Sequence, residues 1–273
     1  MSNNNEIHSS SKLDKQGGYQ AKFPDENNVI AWTATENNTW KTLIERQLTI
    51  IENRACDKFT RGLSELALPI DRVPQLTELN EKLQKTGWSM QAVAGTVLVK
   101  DFFTLLSQRI FPVANFIRVP DSLNYVPQPD VFHEVFGHGP LLLCPEYADF
   151  VQWYGEMALS FNQQQRQLLS RVYWYTVEFG LIESPKGKRI LGAGILSSYE
   201  ETLSCLGEDP NHQPQYIPFC IANTMKMPYD YQKIQETYFL LNNLDQLWAL
   251  QTTPHLKDQL VSPNNPEDGL INC

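Results

Sequence analysis

The sequence predicts a mainly α-helical fold with a minority of short strands, organised as one domain. Three observations carry that expectation. Apolar side chains recur at helical spacing along most of the chain. Hydrophobic residues make up 42% and charged residues 19% of the 273 positions, enough to build a substantial core in one large domain or two small ones. No internal repeat and no clear linker interrupts the middle of the chain. Residues 1–28 are polar and rich in Asn, Ser and Lys and read as a disordered tail, so the ordered domain is expected over 29–254, with a second polar tail over 255–273.

Within that domain the elements follow in order. Trp40, Leu43, Ile44, Leu48 and Ile51 share one helical face, with Asn38 or Thr39 placed to cap it. A second helix is expected over residues 58–67, Pro69 and Asp71 interrupt, and a third covers 76–83. The β-branched, glycine-containing segment 92–99 reads as a loop or short strand, and Asp101 is placed to cap a helix holding Phe102, Leu105 and Leu106. Pro112, Pro120, Pro127 and Pro129 exclude one regular helix and mark irregular backbone suited to line a pocket. Tyr147, Phe150, Val151, Tyr154, Ala158 and Phe161 form the next amphipathic face, and Leu168, Leu169, Val172, Tyr173 and Thr176 the one after. A glycine- and serine-rich stretch over 191–198 leads into a helix over 198–206, and a last helix is expected over 234–250.

Bulk properties exclude several classes of function. A formal net charge of −9 argues against nonspecific binding to nucleic acid or anionic membranes. The start has no apolar stretch of the secretory kind, and no run approaches the ~18 apolar residues of a membrane span. The five cysteines are odd in number, scattered and without a Cys-x-x-Cys pair, which reads as reduced thiols in a cytoplasmic protein.

The chemistry concentrates in Pro129-Asp130-Val131-Phe132-His133-Glu134-Val135-Phe136-Gly137-His138, which holds two of the five histidines. Imidazole is the commonest protein ligand for a transition metal. Zinc proteases space their histidines at i and i+4, as His-Glu-x-x-His, and this motif does not. On a regular helix a spacing of five turns the side chain by about 140° net, so the rings diverge unless the helix is irregular near Gly137, Gly139 and Pro140. Glu178 supplies a distant carboxylate, on the opposite side of its helix from the aliphatic stripe and among Trp174, Tyr175, Val177 and Phe179. An isolated carboxylate there is costly to bury without a cation or a proton. Two histidines and one carboxylate match the facial triad of non-haem Fe(II) oxygenases, which leaves one face of the metal open. The competing readings are a structural, hydrogen-bonded histidine pair in a non-catalytic binding protein, an exposed Glu178, and a zinc hydrolase with unusual spacing.

Three blocks in order resemble the pterin-dependent aromatic amino acid hydroxylases: Pro129-Asp130 through Leu141-Leu142, Tyr173-Trp174 through Gly180-Leu181, and Gly192-Ala193-Gly194-Ile195-Leu196-Ser197-Ser198. The resemblance extends more weakly over about Val93–Tyr199 and implies that 29–254 is a single catalytic domain of that family. It implies a mononuclear Fe(II) held by His133, His138 and Glu178, with tetrahydrobiopterin as cofactor and O2 as co-substrate. It puts Arg118 at the substrate carboxylate, a role its planar fork suits, with Asp130 orienting it. Trp174 would wall the substrate ring and Ser197 would sit near the amino acid head group. For the pterin it implies stacking on Phe102, backbone hydrogen bonds from Gly95 and Val97, and a water-mediated contact from Glu134. Taken without the resemblance, Arg118 reads as a surface arginine and Phe102 as a core aromatic. Two departures stand out: Val126 replaces the threonine of animal relatives, removing a hydroxyl, and Glu200 replaces a small residue. The short form and Trp174 resemble bacterial members that hydroxylate L-phenylalanine at C4, with tryptophan or tyrosine as alternative substrates. A monomer or dimer is expected rather than a tetramer.

Overall fold

The computed structural model describes residues 21–94, 97–124 and 128–252. The chain divides into two compact units, one built from 1–45 with 61–159 and the other from 46–60 with 160–273. The division falls inside α1 (Ala34–Ile50) and α2 (Asp57–Leu66). As expected, the fold is mostly helical with few short strands.

In the first unit, α1 begins four residues before Asn38 and five before Thr39, the expected caps. Thr33 sets its start: the Glu36 carboxylate accepts from Thr33 N–H at 2.7 Å and the Thr33 hydroxyl accepts from Glu36 N–H at 3.3 Å, a reciprocal box that closes two otherwise open donors. Thr39 instead sits buried inside the helix at 3% exposure. Next come α3 (Leu76–Leu83), β1 (Ser89–Val93), α4 (Val99–Ser107) and β2 (Ile110–Ala114). Asp101 does not cap α4; it lies within the first turn, and Leu98 is the extended residue ahead of it. Strands β1 and β2 pair in parallel, Ser89 against Ile110 through Val93 against Ala114, with α4 as the crossover. A π-helix over His133–His138 then runs into α5 (Gly139–Leu142), and α6 (Pro145–Leu159) closes the unit against α4. Its core holds Trp40, Phe103, Leu106, Phe111, Phe132, Phe136 and Tyr154, all at 3% exposure or less. Residues 21–28, which the sequence assigns to the tail, make defined contacts here: Lys22 N–H donates to the Asn115 carbonyl at 2.9 Å.

The second unit opens with α7 (Gln163–Tyr173), capped by Asn162 and Gln165 in a reciprocal box with bonds of 2.9 and 3.0 Å. A second π-helix, Trp174–Glu178, extends it. Beyond it lie β3 (Leu181–Ile182), β4 (Arg189–Ile190), α8 (Ala193–Leu196), α9 (Tyr199–Ser204), β5 (Gln215–Pro218), α10 (Ile221–Lys226), β6 (Thr237–Leu241) and α11 (Asp245–Thr252). The strands form a sheet in the order β4-β3-β6-β5. The helix expected over 234–250 is therefore incorrect in its first half. Thr237-Tyr238-Phe239-Leu240-Leu241 is a short apolar, aromatic-rich run that periodicity alone reads either way, and pairing on both sides with β3 and β5 makes it a central strand. Cys56, Cys144 and Cys205 are buried and form no disulfide, but Cys220 is disulfide-bonded, against the expectation of reduced thiols throughout. Count and spacing set no limit on cysteines that folding brings together.

Candidate metal and substrate site

The π-helix resolves the spacing problem posed by His133 and His138. With hydrogen bonds from i to i+5, a π-turn returns to the same face every five residues or so, where an α-helix overshoots. Pro140 gives a local reason for the wider turn. It has no N–H for the Phe136 carbonyl, and its ring crowds that carbonyl in the α register. The start of α5 is also pinned from outside, because Gly62 of α2 approaches so closely that a Cβ there would lie 1.9 Å from the Pro140 carbonyl oxygen. The two imidazoles meet edge to face, with centroids 4.9 Å apart and planes at 83°. Their Nε2 atoms are 3.2 Å apart. Two nitrogens each ~2.1 Å from one ion lie about 3.0 Å apart at right angles and about 3.4 Å apart at the tetrahedral angle, so the pair fits a shared transition-metal ion. Phe111 packs beside His138 at 4.7 Å, and His138 is 2% exposed. Glu134 completes a local cluster of three possible ligands, its Oε2 being 4.0 Å from His138 Nε2.

Arg118 and Asp130 are not at the surface: they are 3% and 0% exposed. They form a bidentate pair, Nε to Oδ2 at 2.8 Å and Nη2 to Oδ1 at 2.9 Å, and Arg118 N–H also donates to Oδ2 at 2.9 Å. Burial pushes the Asp130 carboxyl up, but the Arg118 charge and hydrogen bonds outweigh burial and hold it below the usual carboxylate range. Asp130 Oδ1 also accepts from His133 N–H at 3.1 Å, so one carboxylate fixes both the guanidinium and the first turn of the histidine helix. Of the pterin-segment residues, Gly95 lies outside the described residues, as do Tyr125 and Val126. Val97 is half-buried just ahead of α4, and Phe102 is half-buried in its first turn, edge-on to Phe103 at 5.5 Å.

Trp174, Glu178 and Ser197 belong to the second unit. Phe179 N–H donates to the Trp174 carbonyl at 2.7 Å, the i to i−5 bond that defines the second π-turn, and the Thr176 hydroxyl donates to the Val172 carbonyl at 2.6 Å, which favours a bend there. Glu178 is the last residue of that turn and is half-buried. The third sequence block packs directly on it: a Cβ on Gly192 would lie 2.2 Å from the Glu178 carbonyl oxygen. Ser197 is 4% exposed, and its hydroxyl donates to the Ala193 carbonyl at 2.8 Å. The Trp174 indole is stacked on Phe179 at 4.3 Å and on Tyr229 at 4.2 Å, and its N–H donates to Gln235 Oε1 at 3.3 Å. Gln235 and Tyr229 have no signature in the sequence; both come from a loop with no motif. The structure thus gathers His133, Glu134 and His138 in one place and Arg118 with Asp130 in another, joined through Asp130, while Trp174, Glu178 and Ser197 are organised by the π-turn and α8.

Residues 7–253 match the family model of the biopterin-dependent aromatic amino acid hydroxylases, and the chain belongs to that family. It is 45% identical over 233 residues to the phenylalanine-4-hydroxylase of Pseudomonas aeruginosa, covering 85% of this chain and 87% of that one. Its fold is similar to that of the apo cold-active phenylalanine hydroxylase from Colwellia psychrerythraea 34H, with a TM-score of 0.84 and 39% identity over 89% of this chain and 92% of that chain. It is also similar to the Chromobacterium violaceum phenylalanine hydroxylase with bound iron(III) and 7,8-dihydrobiopterin, with a TM-score of 0.80 and 40% identity over 88% and 86% of the two chains.

Proposed function

We propose that this chain is a phenylalanine 4-monooxygenase, hydroxylating L-phenylalanine to L-tyrosine with O2 and tetrahydrobiopterin at a mononuclear non-haem Fe(II). The observation that carries the reading is the π-turn that sets two histidine Nε2 atoms 3.2 Å apart in a chain of the pterin-dependent family. His133, His138 and Glu178 would hold the iron, two neutral donors and one carboxylate leaving an open coordination face. When bound, iron and pterin supply the redox chemistry that activates O2 and delivers one oxygen atom to the ring. The chain's own groups bind and orient. Arg118, held by Asp130, would receive the substrate carboxylate, and Ser197 would lie near the amino acid head group. Trp174 walls the ring. Phe102 would stack on the pterin, Gly95 and Val97 would bond it through the backbone, and Glu134 would reach it through water. The buried apolar side chains around the histidines, Phe111 and Phe136 among them, keep bulk water from the reacting atoms.

No helix among the described residues is long and apolar enough to cross a membrane. The reading has a cytoplasmic enzyme of phenylalanine catabolism, acting as a monomer or dimer on a small molecule, with no nucleic-acid or membrane partner. Anaerobic reconstitution with Fe(II), followed by tetrahydrobiopterin, O2 and each aromatic amino acid in turn, tests it by chromatography. Tyrosine from phenylalanine is expected as the main product. Preferred turnover of tryptophan or tyrosine overturns the substrate assignment, and full activity in Glu178→Ala removes Glu178 from the ligand set.

A further inference from the structure

The loop before β6 is folded around one buried side chain. Gln235 is 6% exposed, and its groups are bonded on every side. Its Nε2 donates to the Asp230 carbonyl at 2.9 Å and the Lys233 carbonyl at 2.7 Å, closing the loop on itself. Its backbone N–H donates to Glu201 Oε1 at 3.1 Å, anchoring the loop to α9, and its carbonyl lies 3.2 Å from His212 Nε2. What remains of the amide, Oε1, is aimed at the indole N–H of Trp174, 3.3 Å away. From the same loop Tyr229 lays its ring on the indole, 4.2 Å away and 13° from parallel. Tyr175 fixes the loop's start by donating its hydroxyl to the Pro228 carbonyl at 2.6 Å.

Phe179 stacks on the same indole at 4.3 Å. Two rings that close to one face would touch each other, and among the described residues no ring contact joins Phe179 to Tyr229, so they cover opposite faces. Both faces of Trp174 are therefore occupied by protein, and only its edge is left to meet a ligand. Those two rings fix the plane of the indole, and its hydrogen bond to Gln235 Oε1 fixes its orientation within that plane, since stacking alone lets an indole slide and rotate within the sandwich.

We infer that Gln235 is a positioning residue that fixes the indole of Trp174, and with it the size of aromatic ring the enzyme accepts. The inference rests on the reading of Trp174 as a wall of the substrate pocket. An edge held in plane presents a rigid limit to the substrate ring, whereas an indole free to rotate gives way to a larger one, and rigidity of that kind discriminates where apolar contact alone does so weakly.

The test compares kcat/KM for phenylalanine and for tryptophan in the reconstituted holoenzyme, in Gln235→Met, Trp174→Phe and the double variant. Gln235→Met removes the acceptor of the indole together with the two bonds that close the loop, and is expected to lower the phenylalanine-to-tryptophan preference at least about fivefold, the worth of the hydrogen bond to the indole alone. Trp174→Phe lowers it too, and in that background Gln235→Met adds nothing, because no indole N–H is left to hold. An equal effect of Gln235→Met in both backgrounds, or no effect while Trp174→Phe alone shifts the preference, overturns the inference. An unchanged preference in Trp174→Phe overturns the pocket-wall reading itself, and the inference with it. Should Gln235→Met fail to fold, Gln235→Asn withdraws the acceptor while keeping an amide and is scored by the same comparison. The ¹⁵N–¹H resonance of the Trp174 indole, assigned by its loss in Trp174→Phe, is expected to move in Gln235→Asn; an unmoved resonance also counts against the inference.

Discussion

Glu201 is a residue whose environment changes its chemistry. It is 4% exposed, accepts from the Tyr238 hydroxyl at 2.5 Å and from Gln235 N–H, and has the Cys205 thiol and Glu200 as neighbours. Burial pushes its carboxyl up to about 7, and the two hydrogen bonds offset only part of that. In the unfolded chain the group ionises near its ordinary value of 4.5, so between there and about 7 the folded state holds a proton that the unfolded state has lost. Its stabilising contribution is therefore complete below 4.5 and disappears as pH rises through about 7, a difference of roughly 3 kcal/mol. Glu201→Gln keeps an acceptor and cannot ionise. Urea unfolding at about pH 5 and about pH 8 is expected to show the parent losing stability with rising pH and the variant losing much less; parallel losses would refute the assignment. Asp130 has the opposite sign. Its carboxyl is held low by Arg118, so its contribution is present above the ordinary value of 3.8 and is lost only as pH falls through the lowered one. Asp130→Asn leaves the buried Arg118 charge uncompensated and is expected to cost about 3–5 kcal/mol, with a larger rise in KM for phenylalanine than fall in kcat. Wild-type stability in that variant would show that the guanidinium finds another partner. None of these environments is legible in the sequence, where Glu201 is one of 31 acidic residues and Arg118 reads as an ordinary surface arginine.

At the scale of elements, the helices were largely legible and their ends less so. Residues 76–83 and the α2 segment fall within a residue of the expected spans because an apolar stripe and flanking prolines agree there. The start of α1 was misplaced because Thr33 and Glu36, three apart, outrank Asn38 and Thr39 by closing a reciprocal box. Asn38 and Thr39 look like caps only when the first apolar residue is taken as the helix start. An irregularity near Gly137 is what two converging rings at this spacing call for, but its form, a π-turn, depends on Pro140 and on the approach of Gly62. The second π-turn had no such signal, since Glu178 reads equally well on a regular helix. Its support from α8 yields a test. Gly192→Ala puts a Cβ against the Glu178 carbonyl, where neither backbone segment yields cheaply, and is expected to weaken Fe(II) binding at least tenfold, about 1.4 kcal/mol or more, when read by titration of the apoenzyme. Unaltered affinity would mean that the turn carrying Glu178 is free to shift without consequence.

For the whole molecule, the helical class followed from composition and periodicity, and the three ordered blocks from their residues. The four-stranded sheet of the second unit did not, because its strands are two to five residues long and drawn from segments as far apart as Leu181 and Leu241. Strands that short carry no pattern of their own; long-range pairing makes them. A metal held by the folded chain and not by the unfolded one raises stability by mass action, by about 2.7 kcal/mol at a hundredfold excess over Kd. Fe(II) added anaerobically to the apoprotein is thus expected to raise Tm by about 5–10 °C, and by much less in Glu178→Ala; no shift in the parent would remove the metal reading. The π-turn at the histidines has one more consequence, and it is genetic. Loss of the single codon for Gly137 would leave His-Glu-Val-Phe-His, a spacing that an ordinary α-helix presents on one face and that zinc peptidases use. In this chain the ligand geometries of two metalloenzyme chemistries are separated by one inserted residue, so an insertion or deletion there changes the spacing of the ligands themselves, which no substitution within 134–137 does.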